Sequence, residues 1–217
     1  MNDKVSKKGK LYIFTSYTPG AGKSYLMLQK ALERKKQGCT VEVAFVYGKH
    51  RDFAPLLEGN GVIGYEGGKY SLKAIIEKQP DVVVLDEMGV RGANKDGKTF
   101  VYEDIYKLLE IGIDVYTSVN LKRFESVNPI FKRITGLTVK TMLPDDLLNI
   151  SESIYYVDRD PKKMKEDYEK GFLFDKRHMS SSVMKKNFQL RTLEKYREIG
   201  LEYLKEHYKD KLEVYKR

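Results

Sequence analysis

The sequence contains no tryptophan and a single cysteine, Cys39. One cysteine closes no internal disulfide and builds no thiolate metal site, so disulfide scaffolds and zinc ribbons are excluded. His178 and His207 have no partners at metal-ligand spacing and are assigned no role. No stretch approaches the roughly 18 apolar residues that span a bilayer. The polar, lysine-rich start, Met1 to Lys10, has no apolar run behind it of the kind a signal peptide needs. These absences predict a cytoplasmic chain without a membrane span.

What is present is ordinary for a globular fold. The chain has 217 residues, 41% hydrophobic and 33% charged, which suits one domain, or one domain with a small C-terminal extension around a buried core. The net charge is +9. Such a surface favours phosphate ligands, nucleic acid or an acidic membrane face. The basic residues are spread along the chain rather than gathered beside aromatics, so they read as solvated helix faces, and nucleic acid is not an expected partner.

Periodicity alternates between strand and helix. Lys10 to Ser16 is rich in β-formers and reads as a strand; Pro19, Gly20 and Gly22 break it; Ser24 to Gln37 reads as a helix stopped by Gly38. Thr40 to Tyr47 is a second strand, Glu58 to Gly68 a loop or short hairpin, and Leu72 to Lys78 a helix ended by Pro80. Asp81 to Leu85, apolar throughout after its aspartate, reads as a short buried parallel strand. A polar loop follows at Arg91 to Lys98. Thr99 to Ile111 reads as helix, Ile113 to Val119 as strand, Leu121 to Thr135 as helix, and Thr138 to Met142 and Ser153 to Val157 as strands. This alternation predicts a mostly parallel sheet flanked by helices. After Pro161 the pattern changes to charged helix, with Met184 to Tyr208 one long element and no further strand. The expected organisation is a core over residues 1–160 and a helical extension over 161–217, packed on the core or leading out of it.

The run Gly20-Ala21-Gly22-Lys23-Ser24 lies between a predicted strand and a predicted helix. That is the setting of a P-loop, G-x-x-x-x-G-K-[ST], whose backbone N–H groups and helix N-terminus wrap a phosphate. A Cβ would obstruct that approach, hence the glycines. Lys23 would neutralise the β- and γ-phosphates from an exposed position in the empty loop, and Ser24 would ligate Mg²⁺. The first glycine of the pattern is replaced by Tyr17. The expected nucleotide site is therefore Pro19, Gly20, Ala21, Gly22, Lys23, Ser24 and Tyr25. A second signal is the apolar strand ending in Asp86-Glu87: Asp86 would hold Mg²⁺ through water, and Glu87 would orient or deprotonate an attacking water. An adjacent glutamate favours the RecA-like branch, in which one strand separates the P-loop strand from the acidic strand. Thr117, Ser118 and Asn120 end another strand and offer polar groups where a γ-phosphate sensor could sit, Thr117 and Asn120 foremost; their plainer reading is to cap the next helix. Arg91 reads as a solvated loop arginine. Lys49, His50 and Arg51 follow the second strand on the same edge and are candidates for a phosphate or a second ligand.

On these residues the chain resembles the N-terminal cytoplasmic domain of the KdpD sensor kinases of potassium-responsive two-component systems. The resemblance is carried by Thr18 through Leu28, Leu56-Leu57-Glu58-Gly59, Val84-Leu85-Asp86-Glu87 and, most specifically, Gly112 through Asn120. Phe124-Glu125-Ser126, Ile134-Thr135-Gly136, Pro144-Asp145 and the helix from Asn187 to Leu204 continue it, so that it covers residues 9 to 204. The family also lacks a glycine at the position of Tyr17. It differs in two stretches: a His-Thr-Asn after its acidic pair stands here as Val90-Arg91-Gly92, and a Glu-Thr-His-Gly-Arg after its second strand as Tyr47-Gly48-Lys49-His50-Arg51. Full-length relatives continue into a universal-stress-type domain, four membrane spans and a histidine kinase core. None is found here, so the chain is expected to be a free-standing relative or a fragment that cannot autophosphorylate a histidine.

The expected fold is thus an α/β P-loop NTPase of RecA-like type with a C-terminal helical extension, and the expected cofactors are ATP and Mg²⁺. The resemblance implies an ATP-binding regulatory domain in potassium homeostasis, with slow ATP hydrolysis compatible with that role. It would report to a protein partner, either a membrane sensor or a second copy. Two other functions remain open on the residues alone: an ATP-dependent enzyme, either ATPase or small-molecule transferase, and nucleic-acid binding through the basic surface.

Overall fold

A computed structural model describes residues 7–47, 68–136, 139, 141–174 and 182–217. His178, the basic run Lys49-His50-Arg51 and the loop read at Glu58–Gly68, except Gly68 itself, lie outside the described residues.

Six strands form one sheet in the order β2-β3-β4-β1-β5-β6. In chain order they are β1 Leu11–Ser16, β2 Val41–Phe45, β3 Val82–Leu85, β4 Asp114–Asn120, β5 Ser151–Asp158 and β6 Leu212–Lys216. β2 pairs with β3, β3 with β4, and β5 with β6, each in parallel. One strand, β4, separates β1 from β3, as the RecA-like expectation required. Helices flank the sheet: α1 Lys23–Lys36, α2 Leu72–Lys78, α3 Val101–Glu110, α4 Asn128–Thr135, α5 Asp146–Ile150, α6 Pro161–Glu169, α7 Ser182–Asn187 and α8 Leu190–His207.

The chain divides into two compact units, one of Met1–Ile13 with Ser24–Ser118, the other of Phe14–Lys23 with Val119–Arg217. In the first, β3 is buried at every position. Its four apolar residues therefore read as one run rather than an alternation. α1 buries Met27, Leu28 and Ala31, a helical stripe, while Tyr25 faces out at 38% exposure. α2 occupies the residues expected of it. Ser71 caps its N-terminus by accepting from Ala74 N–H, and Gln79 ends it in the left-handed region. In the second unit aromatic pairs run through the core. Phe14 stacks on Tyr155 at 4.6 Å, Tyr168 on Phe188 at 4.4 Å, and Phe131 tilts against Tyr196 at 5.0 Å. Gly200 lets α8 approach β5: a Cβ there would lie 3.0 Å from the Tyr156 hydroxyl.

Three expectations are corrected. The helix read over Leu121–Thr135 is a 3₁₀ turn, Leu121–Arg123, a break, and then α4. Phe124 is fully buried with an extended backbone, and Pro129 sits in the first turn of α4, the position proline favours. The strand read over Thr138–Met142 is absent from its described residues; nearby, Leu143 makes only an isolated parallel bridge to Phe124. The segment after Pro161 is not wholly helical. Met184–Tyr208 is interrupted at Phe188-Gln189, with Gln189 extended at ψ 137°, and β6 follows α8 to pair with β5.

Candidate nucleotide site

In the first unit the site grows from the end of β3. Asp86 is buried, and its carboxylate gathers four donors. Oδ1 accepts from Ser24 Oγ at 3.1 Å, Ser118 Oγ at 2.5 Å and Glu87 N–H at 3.0 Å; Oδ2 accepts from Tyr47 N–H at 3.0 Å. Ser24 comes from the start of α1, Ser118 from β4 and Tyr47 from just past β2. The register Leu85↔Thr117 brings the ends of β3 and β4 level. Ser118, read with Thr117 and Asn120 as a candidate sensor, instead orients the acidic pair: it donates to Asp86 and accepts from Glu87 N–H at 3.3 Å. Glu87 is half-buried, with φ 49°. Thr117 is wholly buried, and its Oγ1 has no hydrogen-bond partner among the described residues. Arg91 is tied into its own loop, Nε donating to Lys98 C=O at 3.1 Å with the guanidinium over Phe100, as a loop arginine should be.

In the second unit the loop leaves β1 at Ser16, whose Oγ donates to Val157 C=O at 2.9 Å. Tyr17 explains how the loop dispenses with its first glycine. Its ring is fully buried and its hydroxyl donates to Arg159 C=O at 2.6 Å, so the side chain points into the core. Burial and the nearby Asp158 push that phenol far above its ordinary pKa, so it remains a donor. Gly20 and Gly22 have φ of 85° and 107°, values that L side chains rarely adopt. Arg159 was not singled out in the sequence; its Nη1 donates to Gly20 C=O at 3.2 Å and its Nη2 to Asp167. Asp158 beside it is clasped by Arg197 through two bonds of 2.5 and 2.6 Å. The acid–base–acid run Asp158-Arg159-Asp160 at the end of a predicted strand was the available signal. Lys23 is buried, at 7% exposure, contrary to the expectation of an exposed lysine. Asn120 accepts Lys122 N–H at 3.4 Å through Oδ1, the capping role, while its buried Nδ2 has no hydrogen-bond partner among the described residues.

The residues fit a bound phosphate. Four buried side-chain polar atoms lack a hydrogen bond among the described residues, and two of them, Thr117 Oγ1 and Asn120 Nδ2, belong to two of the three candidate sensors. The left-handed glycines lead directly into a helix of 14 residues, whose first N–H groups have no partner within the helix.

Lys122, from the turn after β4, is a further basic residue of the loop's surroundings. Burial, then the charges of Lys23 and Arg123, push its pKa down from 10.5 to about 8. Below pH 8 it is charged in both folded and unfolded chains, and the folded state carries the full penalty. As pH rises toward 10.5 the folded chain binds fewer protons than the unfolded one, so stability should increase over that window. Thermal denaturation of wild type and Lys122→Met between pH 7 and about 10.5 checks this; equal pH slopes would remove the assignment.

A family model described as "Osmosensitive K+ channel His kinase sensor domain", KdpD, matches residues 7–207. Among curated relatives, Sensor protein KdpD of Escherichia coli (strain K12) is 30% identical over 177 residues, 77% of this chain and 20% of that protein. Sensor protein KdpD of Mycobacterium tuberculosis (strain ATCC 25618 / H37Rv) is 28% identical over 210 residues, 92% of this chain and 24% of that protein. Putative sensor protein KdpD of Synechocystis sp. is 26% identical, covering 90% of this chain and 55% of that protein. The chain therefore spans about a fifth to a quarter of the first two. Among solved structures, AMPPCP-bound DnaA from Aquifex aeolicus aligns over 94% of this chain and 60% of that one, at 18% identity and a TM-score of 0.29.

Proposed function

Because the chain belongs to the KdpD sensor-domain family, we propose that it is an ATP-binding regulatory module that reports its nucleotide state to a protein partner. The observation that carries this reading is the bond from Ser24 Oγ to Asp86 Oδ1, 3.1 Å long across 62 residues of sequence. The hydroxyl and carboxylate that a P-loop protein uses for Mg²⁺ are in contact, and Ser24 directly follows Lys23 and the left-handed Gly22. Ser24 would ligate Mg²⁺ and Asp86 would hold it. The ion would supply charge neutralisation at the β- and γ-phosphates. Lys23 adds a second positive charge, and the helix N-terminus adds unpaired N–H groups. Thr117 Oγ1 and Asn120 Nδ2 would take up the γ-phosphate.

The family supports a role in potassium-responsive sensing. Reporting to a membrane sensor or to a second copy in the cytoplasm is the form of that role proposed for this chain. No helix among the described residues is long and apolar enough to cross a membrane. Glu87 supports slow hydrolysis, and turnover separates a regulator from an enzyme. A regulator should run well below the roughly 1–100 s⁻¹ of kinases, and fast turnover with a defined acceptor would replace the proposal by an ATP-dependent enzyme.

Asp86→Asn is the direct test of the metal assignment. Affinity for ATP in Mg²⁺ should fall to the level seen in EDTA, while affinity without Mg²⁺ stays near wild type. Some stability is lost as well, about 1–3 kcal/mol, because the amide nitrogen that replaces one of the two oxygens cannot accept from the donor facing it, such as Tyr47 N–H at Oδ2. An undiminished response to Mg²⁺ in the variant would take Asp86 out of the site.

A further inference from the structure

Lys122 is held in place by two asparagines. Its N–H donates to Asn120 Oδ1 at 3.4 Å, and its C=O accepts from Asn128 Nδ2 at 2.9 Å. The side chain is half-buried, with Nζ over the Tyr196 ring at 5.3 Å. That ring is fixed in turn, packed on Phe131 and with its hydroxyl donating to Asn187 Oδ1 at 2.9 Å. Among the described residues, the charged or titratable groups that face the ammonium are Tyr196 from α8, Lys23 from the phosphate loop and Arg123 from its own turn. None is a carboxylate, and among the described residues Nζ makes no hydrogen bond or ion pair.

A buried charge is ordinarily paired, because taking an ion out of water is costly. The face of a ring offsets part of that cost, and further cations nearby add to it. Lys122 therefore stands where an anion would relieve it. The neighbouring amide points to the same kind of ligand. The cap engages the oxygen of Asn120 and leaves its buried nitrogen a donor without a hydrogen-bond partner among the described residues. We propose that Lys122 is a second phosphate-binding lysine, which together with Asn120 takes the terminal phosphate of a nucleoside triphosphate held by the loop. This rests on the loop being a nucleotide site. Lys23 would serve the β- and γ-phosphates together, whereas Lys122, two residues beyond Asn120, would make the site favour a triphosphate over a diphosphate.

The test is titration of Mg-ATP and of Mg-ADP into the 217-residue chain, wild type against Lys23→Ala, Lys122→Met and Lys122→Arg, with melting temperatures measured first without nucleotide. Methionine keeps the stem on Tyr196 and removes the charge, so Lys122→Met should melt at or above wild type at about pH 7. It should nevertheless bind Mg-ATP about 10- to 100-fold more weakly, the usual loss for a charge-assisted contact, with Mg-ADP little changed. Lys122→Arg keeps the charge and should recover part of the affinity. Protons give a separate readout. The free ammonium titrates at about 8, and a phosphate would draw it back to the charged form. Wild type should therefore take up protons on binding Mg-ATP at about pH 9 but not at about pH 7, and Lys122→Met should lose that uptake. If Lys122→Met binds Mg-ATP as tightly as wild type while Lys23→Ala does not bind, the nucleotide site stands and Lys122 is a packing residue. Equal losses for Mg-ATP and Mg-ADP would remove the terminal-phosphate assignment. A lowered melting temperature in Lys122→Met, with proton uptake as in wild type, would make the residue structural and the inference wrong. If wild type binds neither nucleotide, the nucleotide reading itself falls and takes this inference with it.

Discussion

Excess Mg-ATP should raise the melting temperature of the wild-type chain if the proposed site binds it, and Lys23→Ala should abolish that rise. A ligand at about 100 times its dissociation constant stabilises the state it binds by about 2.7 kcal/mol. For a chain of this size that is a rise of about 5–10 °C. The ammonium of Lys23 stands at the end of the loop, where on the proposed reading it would meet the charge of the β- and γ-phosphates. Alanine leaves only backbone dipoles and more distant cations to meet it. The burial of Lys23 at 7% exposure shapes the control. Removing a buried stem costs packing as well as charge, so the ligand-free melting temperature of Lys23→Ala should fall somewhat. Lys23→Met keeps the stem and should restore that baseline without restoring the nucleotide response. Wild type melting at the same temperature with and without Mg-ATP would mean that the loop is a scaffold. Both variants responding like wild type would mean that nucleotide binds elsewhere.

The second large effect is on folding alone. Asp104, in the first turn of α3, is wholly buried. Its Oδ2 accepts from the Tyr70 hydroxyl at 2.8 Å, Asn94 Nδ2 at 2.8 Å and Thr99 Oγ1 at 2.9 Å, and its Oδ1 accepts from Lys107 Nζ at 2.9 Å. The carboxylate ties the polar loop after Glu87 to α3 and to Tyr70. Asp104→Ala strands the Tyr70 hydroxyl and the Asn94 amide in the interior. Each unsatisfied donor costs about 1–3 kcal/mol, and removing one side of a buried charged network costs about 3–5 kcal/mol in all. Against the typical total of about 5–15 kcal/mol, that is a large fraction. Urea denaturation should show a loss of about 3–4 kcal/mol, with Asp104→Asn losing less than half as much because an acceptor remains. A loss below about 1 kcal/mol would mean that water takes over the stranded donors.

The sequence exposed most of what is locally encoded. β3 was legible because four consecutive apolar residues, too short a run for a helix, suit a strand covered on both faces, and α2 because a terminal proline ends it. The loop was legible because left-handed backbone leaves glycines behind. What escaped notice depends on partners distant in sequence. The break after Arg123 follows from burying Phe124, and Pro129 marked the restart of helix without being read as such. β6 alternates charged and apolar residues weakly, as an edge strand does, and nothing in Leu212–Lys216 says that it will find β5. Arg159 looked like one of many solvated cations; its position comes from strand pairing. Tyr17 looked like a defect in a motif and turned out to be a core residue.

Glu87 has a consequence of another kind. Its φ of 49° lies where a side chain costs about 1–2 kcal/mol and glycine costs nothing. The turn is held there by Met88 N–H on Ser118 C=O at 2.9 Å and Val90 N–H on Glu87 C=O at 3.0 Å. Resistance to heat and the presence of a carboxylate therefore pull in opposite directions at one position. Selection of this chain for thermal endurance alone should drift toward glycine there, and selection that also demands its chemistry should keep the strained glutamate and find its gains elsewhere.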